Sequence, residues 1–266
     1  MNLPDALKKY QPIIESSKQD YIKVEISKEN KDIPITSSKI GGNPYLPIEM
    51  DYPVDKAGNP MALLAQLNFS EIPQLPDYPS KGLLQFYISM DDLYGLNFDN
   101  QTVQEGFKVI YHPKLNYPDL HSDFSFLDDY LKKEEIYPIV TGEYKLGFRK
   151  DVCYVSVSDF NFQAYFGSNG LEFFEQFEDT EEDMWEAYDG LFSSSGHRIG
   201  GYAFFTQEDP RNWKKQLRTY NKLLFQLDSE GEFLMWGDVG VGNFFIKEED
   251  LKKLNFSDIL YNWDCG

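Results

Sequence analysis

The sequence contains few of the residues on which metal sites and disulfide frameworks depend. It has two cysteines, Cys153 and Cys265, and three histidines among 266 residues. Two isolated thiols are typical of a reducing compartment, and a chain of this length builds a core without disulfide support. Neither a His-Glu-x-x-His nor a Cys-x-x-Cys pattern nor an EF-hand loop occurs, so the sequence predicts no metal site.

Long apolar segments are also missing. No stretch approaches the roughly 18 apolar residues that a membrane-spanning helix needs. Residues 1–10 lack the apolar core of a secretory signal. We therefore expect a cytoplasmic protein that does not associate with a membrane.

Basic residues are in short supply. Lys and Arg total 25 against 44 for Asp and Glu, which gives a net charge of −19. Nucleic acids and anionic membranes repel such a field, so neither is an expected partner. A basic protein partner is electrostatically favoured, although the acidity alone also serves solubility.

Motifs that carry a reaction or hold a cofactor are missing too. Residues 193–197, Ser-Ser-Ser-Gly-His, place hydroxyls beside His197, but no Gly-x-Ser-x-Gly elbow is present. The glycine-rich stretch 237–243 lacks the Lys-Ser/Thr of a P-loop, and a predicted strand follows it instead of the helix of a dinucleotide site. Tight turns or a β-bulge explain its glycines better. The sequence thus predicts no catalytic residue and no cofactor.

Aromatic residues, in contrast, are abundant. The chain has 21 Phe, 18 Tyr and 4 Trp. Each enclosed aromatic side chain buries roughly 150–250 Å². This composition predicts a thick core and argues against disorder.

Two motifs occur twice in the same order. Lys39–Gly42 (Lys-Ile-Gly-Gly) precedes Leu63–Leu67 (Leu-Leu-Ala-Gln-Leu), and Arg198–Gly201 precedes Leu223–Leu227 (Leu-Leu-Phe-Gln-Leu). Ile40 and Gln66 are 26 positions apart, and Ile199 and Gln226 are 27 apart. This recurrence predicts an internal duplication. We expect one globular domain over residues 1–266, with repeat halves at about 18–115 and 140–262.

The order of predicted elements favours an α+β fold with mixed or largely antiparallel sheets and peripheral helices, because strands and helices follow each other without a βαβ rhythm. Residues 4–16 have a helical pattern that Pro12 interrupts. Strands are predicted at 21–26, 83–90, 107–112, 144–148, 152–157, 223–228, 233–236 and 243–246, and further helices at 126–135, 181–191, 212–220 and 248–254.

The densest acidic run extends from Glu172 to Asp189 and contains no Lys or Arg. Phe and Trp residues are interleaved with the acids, which predicts an amphipathic helix pair. Residues 180–183 resemble a capping box before the second helix. A solvated face over an aromatic contact is the simpler interpretation, and a binding surface is the alternative.

One hypothesis for function is a small-ligand or enzymatic cleft between the two halves. For Gln66 and Gln226 there is a competing interpretation, because buried glutamine side chains often only satisfy the hydrogen bonds of buried backbone groups. The candidate binding residues are Gln66, Gln226, Trp236, Asp238, Asn243 and Trp263.

Five further segments are informative as an ordered set: Ile40–Pro44, Leu64–Asn68, Gly82–Tyr87, the stretch from Gly237–Gly240 through Phe244–Ile246, and Trp263–Cys265. Taken together, they resemble the YwqG-like family over almost the whole chain. The resemblance implies a bacterial protein of unassigned function and supplies no catalytic residues. It also implies an association with secreted-toxin loci, which would suit a toxin-neutralising or regulatory binding role. Our first hypothesis is therefore a non-enzymatic protein-binding module, with its oligomeric state left open.

Overall fold

The computed structural model describes residues 2–27, 32–180 and 183–266. Within these ranges, ten strands form one sheet and short helices lie around it. The strands are β1 Gln19–Ile26, β2 Lys39–Gly41, β3 Ala62–Asn68, β4 Leu83–Ile88, β5 Phe107–His112, β6 Glu143–Cys153, β7 Arg198–Gly200, β8 Lys222–Asp228, β9 Val241–Ile246 and β10 Ile259–Asp264. The α-helices are α1 Gln11–Ser16, α2 Ser125–Tyr130, α3 Phe162–Phe166, α4 Gly170–Glu175, α5 Met184–Phe192 and α6 Glu248–Lys252.

The sheet is antiparallel, with the strand order β10-β9-β8-β7-β1-β6-β2-β3-β4-β5. The central pair β1 and β6 runs in register from Gln19–Cys153 to Ile26–Leu146. On its other side β1 pairs with β7, and β6 pairs with β2. We call β2–β5 and β7–β10 the two arms of the sheet. The strand β1 comes from the first half of the chain and extends the arm β7–β10, whereas β6 comes from the second half and extends the arm β2–β5. The predicted α+β fold with a largely antiparallel sheet is confirmed.

Alternation of apolar and polar residues explains β1. Ile22 and Val24 are buried, whereas Lys23 and Glu25 point to solvent, as the period of two requires. The strands β4 and β9 are buried at every position. Such strands need a cover on both faces, and the arms of the sheet supply it by curling toward each other.

The main core lies between the two curled arms. Phe86 of β4 packs against Phe225 of β8 and Phe244 of β9, with ring centroids 5.2 and 4.8 Å apart. Phe107 of β5 lies 5.0 Å from Tyr261 of β10. These aromatic contacts join strands that are far apart in the sheet order, so one apolar interior holds both arms together.

A second core supports a helical lobe, which we define as residues 154–197 and which contains α3, α4 and α5. Phe162, Phe173 and Tyr188 are buried in it and pack with Leu7 and Ile14 from the N-terminal segment. That segment is a 3₁₀ turn over Asp5–Tyr10 that continues into α1, with Pro12 in the first turn of the α-helix. The core of the lobe therefore includes residues from the N-terminal segment as well as from the lobe itself.

The structure corrects several predicted elements. Residues 233–236 form no strand and make only isolated bridges, because Gly231 and Gly237 turn the chain on either side with φ of +60° and +53°. The predicted helix 212–220 is a 3₁₀ turn over Lys215–Thr219. The predicted strand 144–148 lies within β6, which ends at Cys153, so residues 154–157 of the predicted strand 152–157 form no strand. The strands β2, β3, β7 and β10 were not predicted. The predicted capping box at 180–183 includes Glu181 and Glu182, which lie outside the described residues.

The two Ile-Gly-Gly segments lie in matching surroundings. In the sheet register Lys39 stands opposite Gln66, and Arg198 stands opposite Gln226. Both pairs of glycines that follow, Gly41 with Gly42 and Gly200 with Gly201, have φ between +65° and +74°. A register shift interrupts β3 between Leu63 and Ala65 and β8 between Leu223 and Phe225. The repeated motifs therefore have repeated backbone geometry.

No helix of the described residues combines the length and apolar character needed to cross a lipid bilayer.

Candidate functional site

Gln66 lies in β3 and is fully buried. Its Oε1 accepts hydrogen bonds from the Tyr45 N–H at 3.0 Å and from Gln85 Nε2 at 2.8 Å. Its Nε2 donates to the carbonyl oxygens of Ile35 and Ser37 at 2.8 and 2.9 Å. All of its usual hydrogen-bonding capacity is used within the protein.

Gln226 has the same role in β8. Its Oε1 accepts from the Phe204 N–H at 2.8 Å, and its Nε2 donates to the carbonyl oxygens of Ser194 and Gly196. Asn243 of β9 lies beside it and donates from Nδ2 to the Phe204 carbonyl at 2.8 Å. Both amides thus hold the segment that follows β7 against the sheet.

Trp236, Asp238 and Trp263 form a separate group at the end of the β10 arm. The two tryptophan rings are stacked, with their centroids 6.2 Å apart. Trp263 Nε1 donates a hydrogen bond to the Leu93 carbonyl oxygen at 2.7 Å. A Cβ atom at Gly242 would lie 2.2 Å from the Trp236 ring, so this glycine is needed for close packing. The Asp238 carbonyl accepts from the Gly266 N–H at 3.1 Å.

The six candidate residues therefore fall into three places. Gln226 and Asn243 lie together, Gln66 lies in the other arm, and the two tryptophans with Asp238 lie at the sheet end. A cavity of about 400 Å³ between the halves is lined by residues of both, including Tyr78, Gly200 and Lys222. Within the described chain, none of the six candidates lines it.

A different cavity opens beside the helical lobe and has a volume of about 440 Å³; we call it the lobe cavity. Aromatic side chains form much of its wall, among them Phe160, Trp185 and Phe204. Carboxylates also line it, namely Asp159, Asp189 and Glu208. In the part of the chain that the structure describes, no Lys or Arg lines this cavity.

A buried charge cluster lies at the floor of the lobe cavity. Arg211 contacts Asp209 through Nε and Nη2 at 2.7–3.1 Å and Asp159 through Nη2 at 3.3 Å. Its guanidinium lies between the rings of Phe160 and Phe245, 4.4 and 3.9 Å from their centroids. Two carboxylates therefore share one cation in this cluster.

Hydrogen bonds hold this cluster in place. The Asp159 carboxylate accepts from the N–H groups of Asn161 and Ala203, and the Asp209 carboxylate accepts from the Phe160 N–H. Burial disfavours the Arg211 guanidinium, but the two carboxylates outweigh burial and raise its pKa. Burial also raises the pKa of Asp159. The cluster therefore connects Asp159 and Phe160 of the lobe to the segment that follows β7.

The rim of the lobe cavity combines negative charge with exposed apolar surface. Leu171, at the start of α4, is 72% exposed and lines the cavity. The Asp189 carboxyl is half-buried, and burial raises its pKa. Glu208, which also lines the cavity, is exposed. An apolar group beside carboxylates is a suitable docking point for a long cationic side chain.

The Ser/His stretch does not form a nucleophilic site. His197 Nδ1 accepts from the Asp228 N–H at 3.0 Å, so Nε2 carries the proton and donates to Glu230 at 3.0 Å. No serine hydroxyl among the described residues is hydrogen-bonded to its ring. Among the same described residues, no group of three or more His, Cys, Asp or Glu side chains is placed to bind a metal ion.

A family model described as a domain of unknown function, DUF1963, matches residues 38–265. The chain belongs to this family. The DUF1963 region begins just before β2 and ends just after β10, and it contains both the lobe cavity and its charged floor. No curated protein matches the sequence.

Part of this candidate site could be predicted from the sequence. The acidic run predicted an amphipathic helix pair, and α4 and α5 confirm it, with Phe173 and Phe174 buried and Glu172 and Glu175 exposed. Sequence reasoning missed Asp159, Asp209 and Arg211. The one available signal was the spacing of Asp209 and Arg211 around a proline, and nothing in the sequence connects them to Asp159.

Proposed function

We propose that this chain is a non-enzymatic protein-binding module and that its helical lobe binds a basic segment of a partner protein. A Lys or Arg side chain of the partner enters the lobe cavity, with its apolar stem against Trp185 and Leu171 and its charge near Asp189 and Glu208. The observation that carries the proposal is the joint presence of aromatic walls and carboxylates in this cavity. Such a cavity favours cations by charge and by cation–π attraction.

The charge distribution along the chain supports a basic partner. Between Lys150 and Arg198 the sequence contains no Lys or Arg. This segment includes the entire lobe, so the acids of α4 and α5 have few basic neighbours to neutralise them. Unneutralised acids on one face attract a basic surface and speed its association.

We further propose that the two halves arose by duplication and that the helical lobe was inserted into the second half alone. Five strands follow each other in the same order in each half, and the matched hydrogen bonds of Gln66 and Gln226 support a common origin. The connection between β1 and β2 covers residues 27–38, whereas residues 154–197 connect β6 and β7. A large insertion on a repeated scaffold is where a binding function is expected.

The resemblance to the YwqG-like proteins supports a bacterial setting for this module, and the two isolated cysteines favour the cytoplasm. A toxin-neutralising or regulatory role is compatible with it, because both roles act through binding of another protein. A basic toxin or effector domain is the partner class that the charge of the lobe favours.

The test is selection of basic peptides against the lobe cavity. A random 12-residue peptide library is selected on the wild-type protein, and the dissociation constant of the selected peptides is measured by titration calorimetry. We expect Lys or Arg next to an apolar residue in the selected sequences. The double variant Asp189→Asn/Glu208→Gln is expected to bind them at least tenfold more weakly.

A matched control separates the cavity from the net charge. The double variant Glu232→Gln/Glu249→Gln removes the same charge from exposed positions outside the lobe and is expected to change binding less than twofold. Equal weakening in both double variants, or selected peptides without basic residues, would refute the proposal.

The competing hypothesis, a small-ligand or enzymatic cleft between the two halves, makes a different prediction. A stabilising nucleotide, sugar or metal in a thermal-shift screen, unaffected by the Asp189 and Glu208 substitutions, would favour that hypothesis.

A further inference from the structure

Arg198 of β7 is a buried cation that no carboxylate of the described residues contacts directly, and the charges of Asp228 and Asp159 act on it from a greater distance. It is 4% exposed, and among the described residues no carboxylate forms an ion pair with it within 4.0 Å. Its Nη2 donates to the Ser195 carbonyl at 2.9 Å, Nη1 is 3.4 Å from the Tyr202 carbonyl, and Nε has no partner. A charge buried in this way is costly unless it is paired.

The other half of the chain shows what is missing. Lys39 of β2 stands where Arg198 stands in β7, and its Nζ lies 2.6 Å from the Glu143 carboxylate. In the register Glu143 is opposite Gly41, and Tyr21 is opposite Gly200. Tyr21 therefore occupies the place of Glu143, and its ring lies 4.7 Å from the Arg198 guanidinium. The second half has an aromatic ring where the first has a counter-charge.

A cavity lies beside this guanidinium; we call it the Arg198 cavity, and its volume is about 410 Å³. Arg198 is the one charged side chain among the described residues that line it. Val152, Leu191 and Phe192 form an apolar part of its wall, and Asn2, Tyr154 and Ser193 contribute polar groups to the rest. Burial raises the pKa of the Cys153 thiol, which also lines the cavity, so this sulfur adds no negative charge near neutral pH.

We propose that the Arg198 cavity binds a small organic carboxylate with an apolar body. The carboxylate supplies to Arg198 the negative charge that Glu143 supplies to Lys39. The apolar body lies against Val152, Leu191 and Phe192. A guanidinium recognises a carboxylate in a planar, two-point geometry, and a cavity of this volume falls in the range of small-ligand sites.

The test uses hexanoate and its uncharged counterpart hexanamide as probes. Titration calorimetry at 0.15 M salt is expected to show hexanoate binding at least tenfold more tightly than hexanamide, because the two differ chiefly in charge. Inorganic phosphate, which lacks the apolar body, is expected to bind more weakly than hexanoate. Equal affinity for hexanoate and hexanamide, or binding of phosphate alone, would overturn the proposal.

Two variants connect the binding to Arg198. In Tyr21→Glu the protein carries its own carboxylate at the position equivalent to Glu143, so we expect a higher melting temperature and at least tenfold weaker hexanoate binding. Arg149→Gln removes an exposed guanidinium of β6 and is expected to leave hexanoate binding unchanged. If Tyr21→Glu folds and binds hexanoate as well as wild type does, the inference is wrong.

Discussion

At the residue scale, two buried glutamine side chains hold the irregular backbone on either side of the short strands β2 and β7. Gln66 supports residues 35–45, and Gln226 supports residues 194–204, each by bonding to backbone groups on both sides of a glycine turn. Buried backbone groups need such partners, because an unpaired one costs as much as a lost hydrogen bond. These amides therefore explain how irregular loops pack tightly against the sheet.

The first prediction concerns these two glutamines. We expect Gln66→Ala and Gln226→Ala each to lower the free energy of unfolding by about 2–4 kcal/mol, because each leaves buried backbone groups unpaired. Since the two environments match, the two losses should agree within about 1 kcal/mol. Urea unfolding followed by tryptophan fluorescence measures both.

Gln74→Ala is the matched control for the glutamine pair. Gln74 also donates to two carbonyl oxygens, those of Leu75 and Tyr78, but it lies at the surface. Water replaces its bonds when it is removed, so we expect a loss below about 1 kcal/mol. A loss at Gln74 as large as that at Gln66 would contradict the burial argument.

At the scale of elements, the helical lobe consists of helices too short to be stable alone. Helices of five to nine residues depend on caps and on the core beneath them. Asn169 caps α4 by accepting from the Glu172 N–H, and Asp183 caps α5 by accepting from the Glu186 N–H. These side chains satisfy amide groups that would otherwise remain without a partner.

The second prediction is that the cap of α5 matters more than its charge. Asp183→Ala is expected to lower the free energy of unfolding by about 1 kcal/mol, whereas Asp183→Asn should change it by only a few tenths, because Asn caps as well as Asp. Urea unfolding followed by far-UV circular dichroism measures the difference. An equal loss in both variants would show that the negative charge, and not the hydrogen bond, is what stabilises α5.

At the scale of the whole molecule, the central strands are exchanged between the halves. β1 pairs with β6 and β7, and β6 pairs with β1 and β2, so neither half has a complete sheet of its own. The facing aromatic rings of the two arms add a shared interior. We therefore expect the folding of each half to require the other.

The third prediction follows from this exchange. A protease site inserted after Lys133, in an exposed connection, yields fragments 1–133 and 134–266 on cleavage. We expect the fragments to stay together in size-exclusion chromatography and to separate only in denaturant. Neither fragment alone should show a cooperative unfolding transition, and mixing them should restore it.

Independent folding of either fragment would contradict the third prediction. It would mean that one arm completes its sheet without the exchanged strand. The uncleaved protein carrying the inserted site is the control, and it should unfold at the same urea concentration as the wild type.

The sequence by itself determined the class of the fold, most of its strands and the repeated motifs, because these follow from local alternation and spacing along the chain. Alternation predicted β1, and the spacing of apolar residues predicted β5 and β8. The predicted strand at 233–236 was wrong because two glycine turns override an apolar run. β10 was missed because Ile259–Asp264 begins with three consecutive apolar or aromatic residues and shows no alternation.

The tertiary structure alone decided where the candidate sites lie. Asp159 and Arg211 meet across 52 positions of sequence, and Tyr21 replaces Glu143 beside a cation only because β1 is paired with β7. Contacts of this kind depend on which strands are neighbours and on how the arms curl. The packing of many residues together determines both of these features, so a local sequence pattern does not predict them.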